Sequence, residues 1–207
     1  TSDHGDYAGD YGLVEKWPSA AEDVITRVPL IVRTPGGKAG HTVSEPVELF
    51  DIMATTLKLA GVEAQHSHFA QSYVPQLAGT AGDPKRAAFI EGGYARHESH
   101  CFEGRSDRDQ FAREPNNIYF PKGRQQQDYP DSVGRTVTIR TQTHRLTYRP
   151  TGVCELYDLA QDPLELNNRF GNPDCAAIQQ SLQNRILEWL VQTSDVTPFK
   201  VDPRGYS

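Results

Sequence analysis

The chain has 207 residues, enough for a buried core, and its net charge of −6 argues against nucleic acid as the main partner, since phosphate binding wants a basic face. Hydrophobic residues make up 37% and charged residues 23%, a globular balance, and no apolar run of about 18 residues offers a membrane-spanning helix. Fourteen prolines, seventeen glycines and a mean hydropathy of −0.61 indicate many turns, with either a loop-rich surface or apolar partners in sequence outside this chain.

Near the start, Asp3 and His4 stand side by side ahead of a turn-rich stretch, Asp6 to Gly12. A carboxylate oxygen suits a hard cation such as Ca²⁺ or Mg²⁺, and an imidazole nitrogen adds a ligand that Mn²⁺ or Zn²⁺ favours more. Two adjacent residues cannot complete a coordination shell, so at least two more ligands must come from elsewhere. Lys16 can fold back over the same site as a point charge and neutralise an anion. Taken alone, an Asp-His-Gly triplet reads as a turn, and only its company of further motifs points to a metal site.

Ile25 to Arg33 is a β-branched apolar run stopped by Thr34-Pro35-Gly36-Gly37, and it predicts a buried strand of a larger sheet. Pro29 makes the entry half of that strand irregular. Glu45-Pro46 predicts a helix start, with Val47, Phe50, Met53, Leu57 and Ala60 at helical spacing and Gly61 as the stop. Ala87 to Glu91 reads as a strand ending at Gly92-Gly93. From Tyr94 to Val133 no period is visible, and so long a loop is often functional. It carries His97, His100, Arg105 and Arg108 among its aromatics, and these residues could meet an anionic scaffold. Arg105 with Arg108, and Lys122 with Arg124, form small local groups that read as solvated loop charge.

Arg135 to Arg140 and His144 to Arg149 alternate around Thr141-Gln142-Thr143, a hairpin pattern, and Glu155 to Leu159 predicts a third strand. Asp174 is the expected cap of a last helix whose stripe is Ile178, Leu182, Ile186, Trp189 and Leu190. Cys101, Cys154 and Cys175 show no CxxC spacing; Cys154 and Cys175 could pair in an oxidising compartment, and buried free thiols are the default. His41, His66, His68 and His144 read as surface or structural.

Several of these segments, in order, resemble the sulfatases of the alkaline phosphatase superfamily. The resemblance rests on Ser2-Asp3-His4-Gly5, Gly9, Gly12, Lys16, Arg27-Val28-Pro29-Leu30-Ile31 and Pro35-Gly36. It continues through Asp51 to Leu57 with Ala60-Gly61, then Glu155 to Leu159, and Asp162-Pro163 with Glu165 and Asn168. Ala54 stands where the family usually has proline. The resemblance implies an α/β fold: the C-terminal portion of an alkaline-phosphatase-like sandwich, plus a small antiparallel sheet packed by a C-terminal helix. It divides the chain into 1–85, a remainder of the catalytic α/β domain, and 86–207, a C-terminal subdomain.

The same resemblance implies that Asp3 and His4 are ligands of an active-site metal, usually Ca²⁺, and that Lys16 contacts the sulfate and the leaving-group oxygen. The family nucleophile is a formylglycine made in Cys-x-Pro/Ala-x-Arg, upstream of the metal motif. Cys101 to Arg105 has the Cys and Arg at that spacing, but Glu103 replaces Pro or Ala and the motif lies downstream, so the nucleophile is expected outside this chain. The expected function is hydrolysis of a small anionic sulfate ester, a sulfated sugar being one candidate, by a longer protein. The isolated chain should be inactive without the N-terminal part. Two alternatives remain open: a phosphonate monoester or phosphodiester hydrolase of the same superfamily, and a non-catalytic binding module.

Overall fold

The computed structural model describes residues 1–105, 113–199 and 205. Two short strands, β1 (Tyr7–Ala8) and β2 (Val14–Glu15), form an antiparallel hairpin near the start. A single helical turn α1 (Asp23–Thr26), the helix α2 (Asp51–Ala60) and a turn α3 (Val74–Leu77) follow. The main sheet has four antiparallel strands in spatial order: β3 (Ala88–Gly92), β4 (Thr136–Arg140), β5 (His144–Tyr148) and β6 (Glu155–Asp158). Between β3 and β4 lies α4 (Phe120–Asp128), and the C-terminal helix α5 spans Ala176–Thr193.

Strand alternation gives the sheet two faces with different chemistry. One face and α5 enclose the apolar core: Ile139, Leu146 and Leu156 against Leu182 and Ile186, with Ala87 alongside. Phe89 stacks on Trp189 at a centroid distance of 4.8 Å, which closes the β3 end of that core. The opposite face is polar yet buried, with Thr138 and Thr147 hydrogen-bonded at 2.8 Å and Arg145 only 1% exposed. Buried charge of this kind must be paired, and the pairs run to the N-terminal segment. Arg140 makes two 2.8 Å bonds to Asp23, while Arg145 pairs with Glu165 and, at 3.1 Å, with Glu155. Arg145 also lies 4.8 Å over the Tyr157 ring. Arg140 of β4 thus staples the start of the chain to the sheet.

Several expectations are corrected. The run Ile25 to Arg33 is not a strand: its first residues close α1, and the rest has no regular structure and no ladder partner among the described residues. A strand exists only by pairing, so Ile31 is left 88% exposed despite its composition. The helix predicted from Glu45 begins only at Asp51. There the buried Asp51 carboxylate accepts from the Glu48 N–H at 2.8 Å and the Gln71 N–H at 2.7 Å, and it pairs with Arg86, which fixes the preceding turn outside the helix. Gly61 ends α2 at φ 67°, a left-handed value that glycine adopts without cost, as anticipated.

The cap ahead of α5 is Asn172, not Asp174: its side chain accepts from the Asp174 N–H at 2.9 Å, over a 3-10 turn Pro173–Cys175 that leads into the helix. The stretch Tyr94 to Val133 is not one irregular loop, since it contains α4 and the 3-10 turns Arg96–Cys101 and Pro130–Val133. Lys122, read as solvated, is buried; Arg124 is exposed and pairs with Asp128 at 2.8 Å, four residues on. The three cysteines are free thiols, with Cys101 exposed.

Candidate active site

The loop carrying Asp3 and His4 is laid against α1. The Gly5 N–H donates to the Ile25 carbonyl at 2.8 Å, and a Cβ at Gly5 would stand 2.0 Å from the Val24 oxygen, so only glycine permits this approach. Tyr7, buried at the base of the β1–β2 hairpin, donates to Glu22 Oε2 at 2.6 Å, and the same oxygen accepts from the Ala21 N–H. Burial and the neighbouring Glu22 carboxylate raise the Tyr7 pKa well above the tyrosine range, so it stays a donor. The hairpin then delivers Lys16 directly after β2.

Asp3 Oδ2 and His4 Nε2 lie 3.5 Å apart, while His4 Nδ1 stands 2.8 Å from the Gly5 carbonyl. A carbonyl can only accept, so Nδ1 carries the proton, and in neutral His4 the Nε2 lone pair faces the Asp3 carboxylate. Either a proton on Nε2, which makes an Asp3–His4 ion pair, or one cation bound by both donors at ~2.3–2.6 Å satisfies this contact. This chemistry fits a metal, although Asp3 and His4 supply only part of a shell. Among the described residues no group of three His, Cys, Asp or Glu side chains is gathered around one point. The Asp3 carboxyl is held below its ordinary value by its own and the His4 backbone N–H, with the His4 and Lys16 charges adding to this.

Lys16 Nζ lies 3.2 Å from Glu15 Oε1, and this bond and charge, with smaller help from Asp6 and Glu103, raise its pKa. Lys16 therefore stays charged through the neutral range and does not form an ion pair with Asp3. The structure thus joins Asp3 to His4 and holds Lys16 by a separate carboxylate. Asp3 and His4 also open onto a groove of about 1540 Å³, bounded by the segment after Arg27 and by the outer edge of β3, where the Phe89 N–H donates to Glu48 Oε1 at 2.9 Å.

The loop residues are placed differently. His97 and His100 are exposed on the Arg96–Cys101 turn, and neither is hydrogen-bonded to Asp3, His4 or Lys16 among the described residues. Arg105 is also exposed and donates to Gln127 of α4. Arg108 lies outside the described residues. Glu103, which departs from the formylglycine motif, pairs with buried Lys122 at 2.9 Å and so has a structural partner. Sequence reasoning passed over Glu15 and Lys122 at the site; Glu15 had only its adjacency to Lys16 as a signal.

The family model described as Sulfatase matches residues 1–62, the segment with Asp3, His4 and Lys16. The N-acetylglucosamine-6-O-sulfatase of Bacteroides thetaiotaomicron is 31% identical over 96% of this chain and 30% of its own length. Along most of its length the chain is similar to sulfatases of the alkaline phosphatase superfamily. The chain is also 27% identical to the multifunctional alkaline phosphatase superfamily protein PehA of Trinickia caryophylli, over 99% of the chain and 36% of that protein. It spans about a third of the length of these relatives.

Solved structures agree on the fold. The phosphonate monoester hydrolase of Agrobacterium radiobacter aligns with a TM-score of 0.69 at 26% identity, over 98% of this chain and 37% of that structure. A structure solved with D-glucosamine-2-N,6-O-disulfate, its substrate, aligns with a TM-score of 0.65 at 26% identity, over 97% and 35%. The fold is therefore that of the alkaline phosphatase superfamily, with mixed helices, an antiparallel sheet and a C-terminal helix, as expected from the sequence.

Proposed function

We propose that this chain is the C-terminal part of a metal-dependent sulfatase that hydrolyses sulfate esters, with its formylglycine nucleophile carried outside these residues and the isolated chain inactive. The observation that carries the reading is the facing pair of donors, Asp3 Oδ2 and His4 Nε2, at 3.5 Å on the rim of an open groove. Asp3 and His4 would hold the cation, Ca²⁺ first and Mg²⁺ or Mn²⁺ second. When bound, such a cation supplies positive charge to the oxygens of the transferring group. Lys16 adds a fixed positive charge for the same anion and for the developing charge on the leaving oxygen. A sulfated sugar is the substrate class favoured by the N-acetylglucosamine-6-O-sulfatase relative and by the neighbour bound to a disulfated glucosamine.

A second reading has its own support: the phosphonate monoester hydrolase neighbour has the higher TM-score of the two described above. In that reading Asp3, His4 and Lys16 keep their roles and the anion is a phosphonate monoester or phosphodiester.

Calorimetry and NMR test the assignment on the 207-residue chain. Weak Ca²⁺ binding is expected, abolished by Asp3→Ala, and inorganic sulfate should shift the Lys16 side-chain resonance. Ca²⁺ uptake untouched by Asp3→Ala removes Asp3 from the metal site. A Lys16 signal indifferent to sulfate removes Lys16 from the anion site.

A further inference from the structure

Lys16 is bracketed by two anchors. On one side, the Glu15 carboxylate is shared: Oε1 accepts from Lys16 Nζ at 3.2 Å and Oε2 from Lys122 Nζ at 2.8 Å. On the other side, the Trp17 indole N–H donates to the Ser132 carbonyl at 2.6 Å, and the Ser19 hydroxyl meets the same oxygen at 2.9 Å. Both anchors belong to the polar stretch from α4 to the following 3-10 turn, more than a hundred residues away in sequence.

Lys122 is 5% exposed, a burial that an ammonium tolerates only when paired. It is met by Glu15 and, at 2.9 Å, by Glu103. Glu103 is itself held, since its N–H donates to Gln126 at 2.9 Å and its carbonyl accepts from Gln127 at 2.5 Å. Helix α4 thus supplies the buried cation and also fixes that cation's second partner. Glu15 has φ 63°, in the left-handed region that L side chains enter at a cost. Such a conformation persists where the surroundings determine it, and these are often the surroundings of a functional group.

We propose that Lys122 is a positioning residue for Lys16: by clamping one oxygen of Glu15 it aims the other at the Lys16 ammonium, so that α4 sets the placement of the anion-contacting group. The inference rests on the assignment of Lys16 to the substrate anion, which the sulfate experiment above tests separately.

The sign of one titration separates this role from a simple charge effect. The Lys16 ammonium is faced by the carboxylates of Glu15, Asp6 and Glu103, which hold its proton. Removing the Lys122 charge with every other group in place would hold that proton more tightly. Releasing Glu15 from its clamp would do the opposite, because the largest of the three attractions is lost.

The experiment is an NMR titration of the full 207-residue chain carrying ¹³Cε-labelled lysine, with Lys16→Arg identifying the Lys16 signal. Lys122→Met should move the Lys16 titration to lower pH, and Lys122→Arg should restore it. Should Lys122→Met fail to fold, Lys122→Gln, which keeps a polar donor at the site, carries the same comparison. In a Glu15→Gln background the Lys122 change should produce no further downward shift. An unchanged or raised Lys16 titration in the folded Lys122 variant overturns the proposal. So does a downward shift that survives Glu15→Gln.

Discussion

Arg140 and Arg145 are direct partners across the β4–β5 ladder, an arrangement that repels unless each guanidinium meets a carboxylate. Asp23 answers the first through two bonds, and Glu165 with Glu155 answers the second. The two arginines therefore recruit acids from distant segments, and the fold gains a link between its N-terminal loop and its sheet. Arg140→Ala should cost about 2 kcal/mol in denaturant unfolding, the loss of a charged, partly buried hydrogen-bonded pair. The pair should also respond to acid. Burial raises the Asp23 pKa, but the Arg140 hydrogen bonds and charge outweigh it, so the folded value lies below the unfolded 3.8. A depressed carboxyl contributes its stability above the unfolded pKa and loses it as pH falls through the folded one. The difference between wild type and Arg140→Ala should hold constant from neutral pH down to about 4 and shrink below that. Denaturant midpoints at neutral pH and at pH about 3 measure it; equal differences at both would remove Asp23 as the partner.

At the scale of elements, legibility followed the kind of force that shapes each one. The β4–β5 hairpin, β6 and α5 were readable because apolar period and apolar core coincide: Ile139, Leu146, Leu182 and Ile186 are the positions that patterning marks and the ones buried. Helix α4 was not readable, since its sequence from Phe120 to Asp128 carries no apolar stripe and buries Lys122, Gly123 and Gln126. Its packing is polar and depends on Glu15 and Glu103, which no local window contains. The reverse failure is Ile25 to Arg33, where composition announces a strand and pairing is lacking among the described residues. Ile31 is the sharpest sign of this, and an exposed apolar segment favours association. Ile31→Ser should change unfolding stability by no more than about 0.5 kcal/mol while lowering self-association. Sedimentation velocity across a concentration series tests this; association unchanged by the substitution would place the sticky surface elsewhere. At the site the same logic holds. Asp3 and His4 were legible because they are adjacent, while the Lys122–Glu15 contact spans 107 positions and had no local signature.

Across the whole molecule, the two halves are held by different physics, and this should appear as unequal local stability. The sheet and α5 share a closed apolar core with a continuous antiparallel ladder, β3 through β6. The N-terminal segment is attached to the sheet's polar face and its flanking turns by ion pairs and side-chain bonds: Asp23 to Arg140, the Asp23 N–H to Glu165, and Trp17 to Ser132. Between α1 and α2, backbone bonding is sparse: among the described residues the backbone donors to backbone within 28–47 are the Gly37 N–H to Thr34 and the Lys38 N–H to Leu77. Local opening there breaks few bonds and exposes little that is not already exposed, so its free energy is small. Hydrogen exchange should therefore be slowest in β4, β5 and the middle of α5, and near the unprotected rate across 28–33. Lowering pH through the Asp23 range should loosen 1–26 before the sheet, because the attachment is electrostatic and the core is not. Exchange that rises uniformly across the chain in acid would mean that the polar face and the apolar core form one cooperative unit. Strong protection over 28–33 in a monomeric sample would mean that this run finds a strand partner after all, and the open groove beside Asp3 and His4 would then be closed in solution.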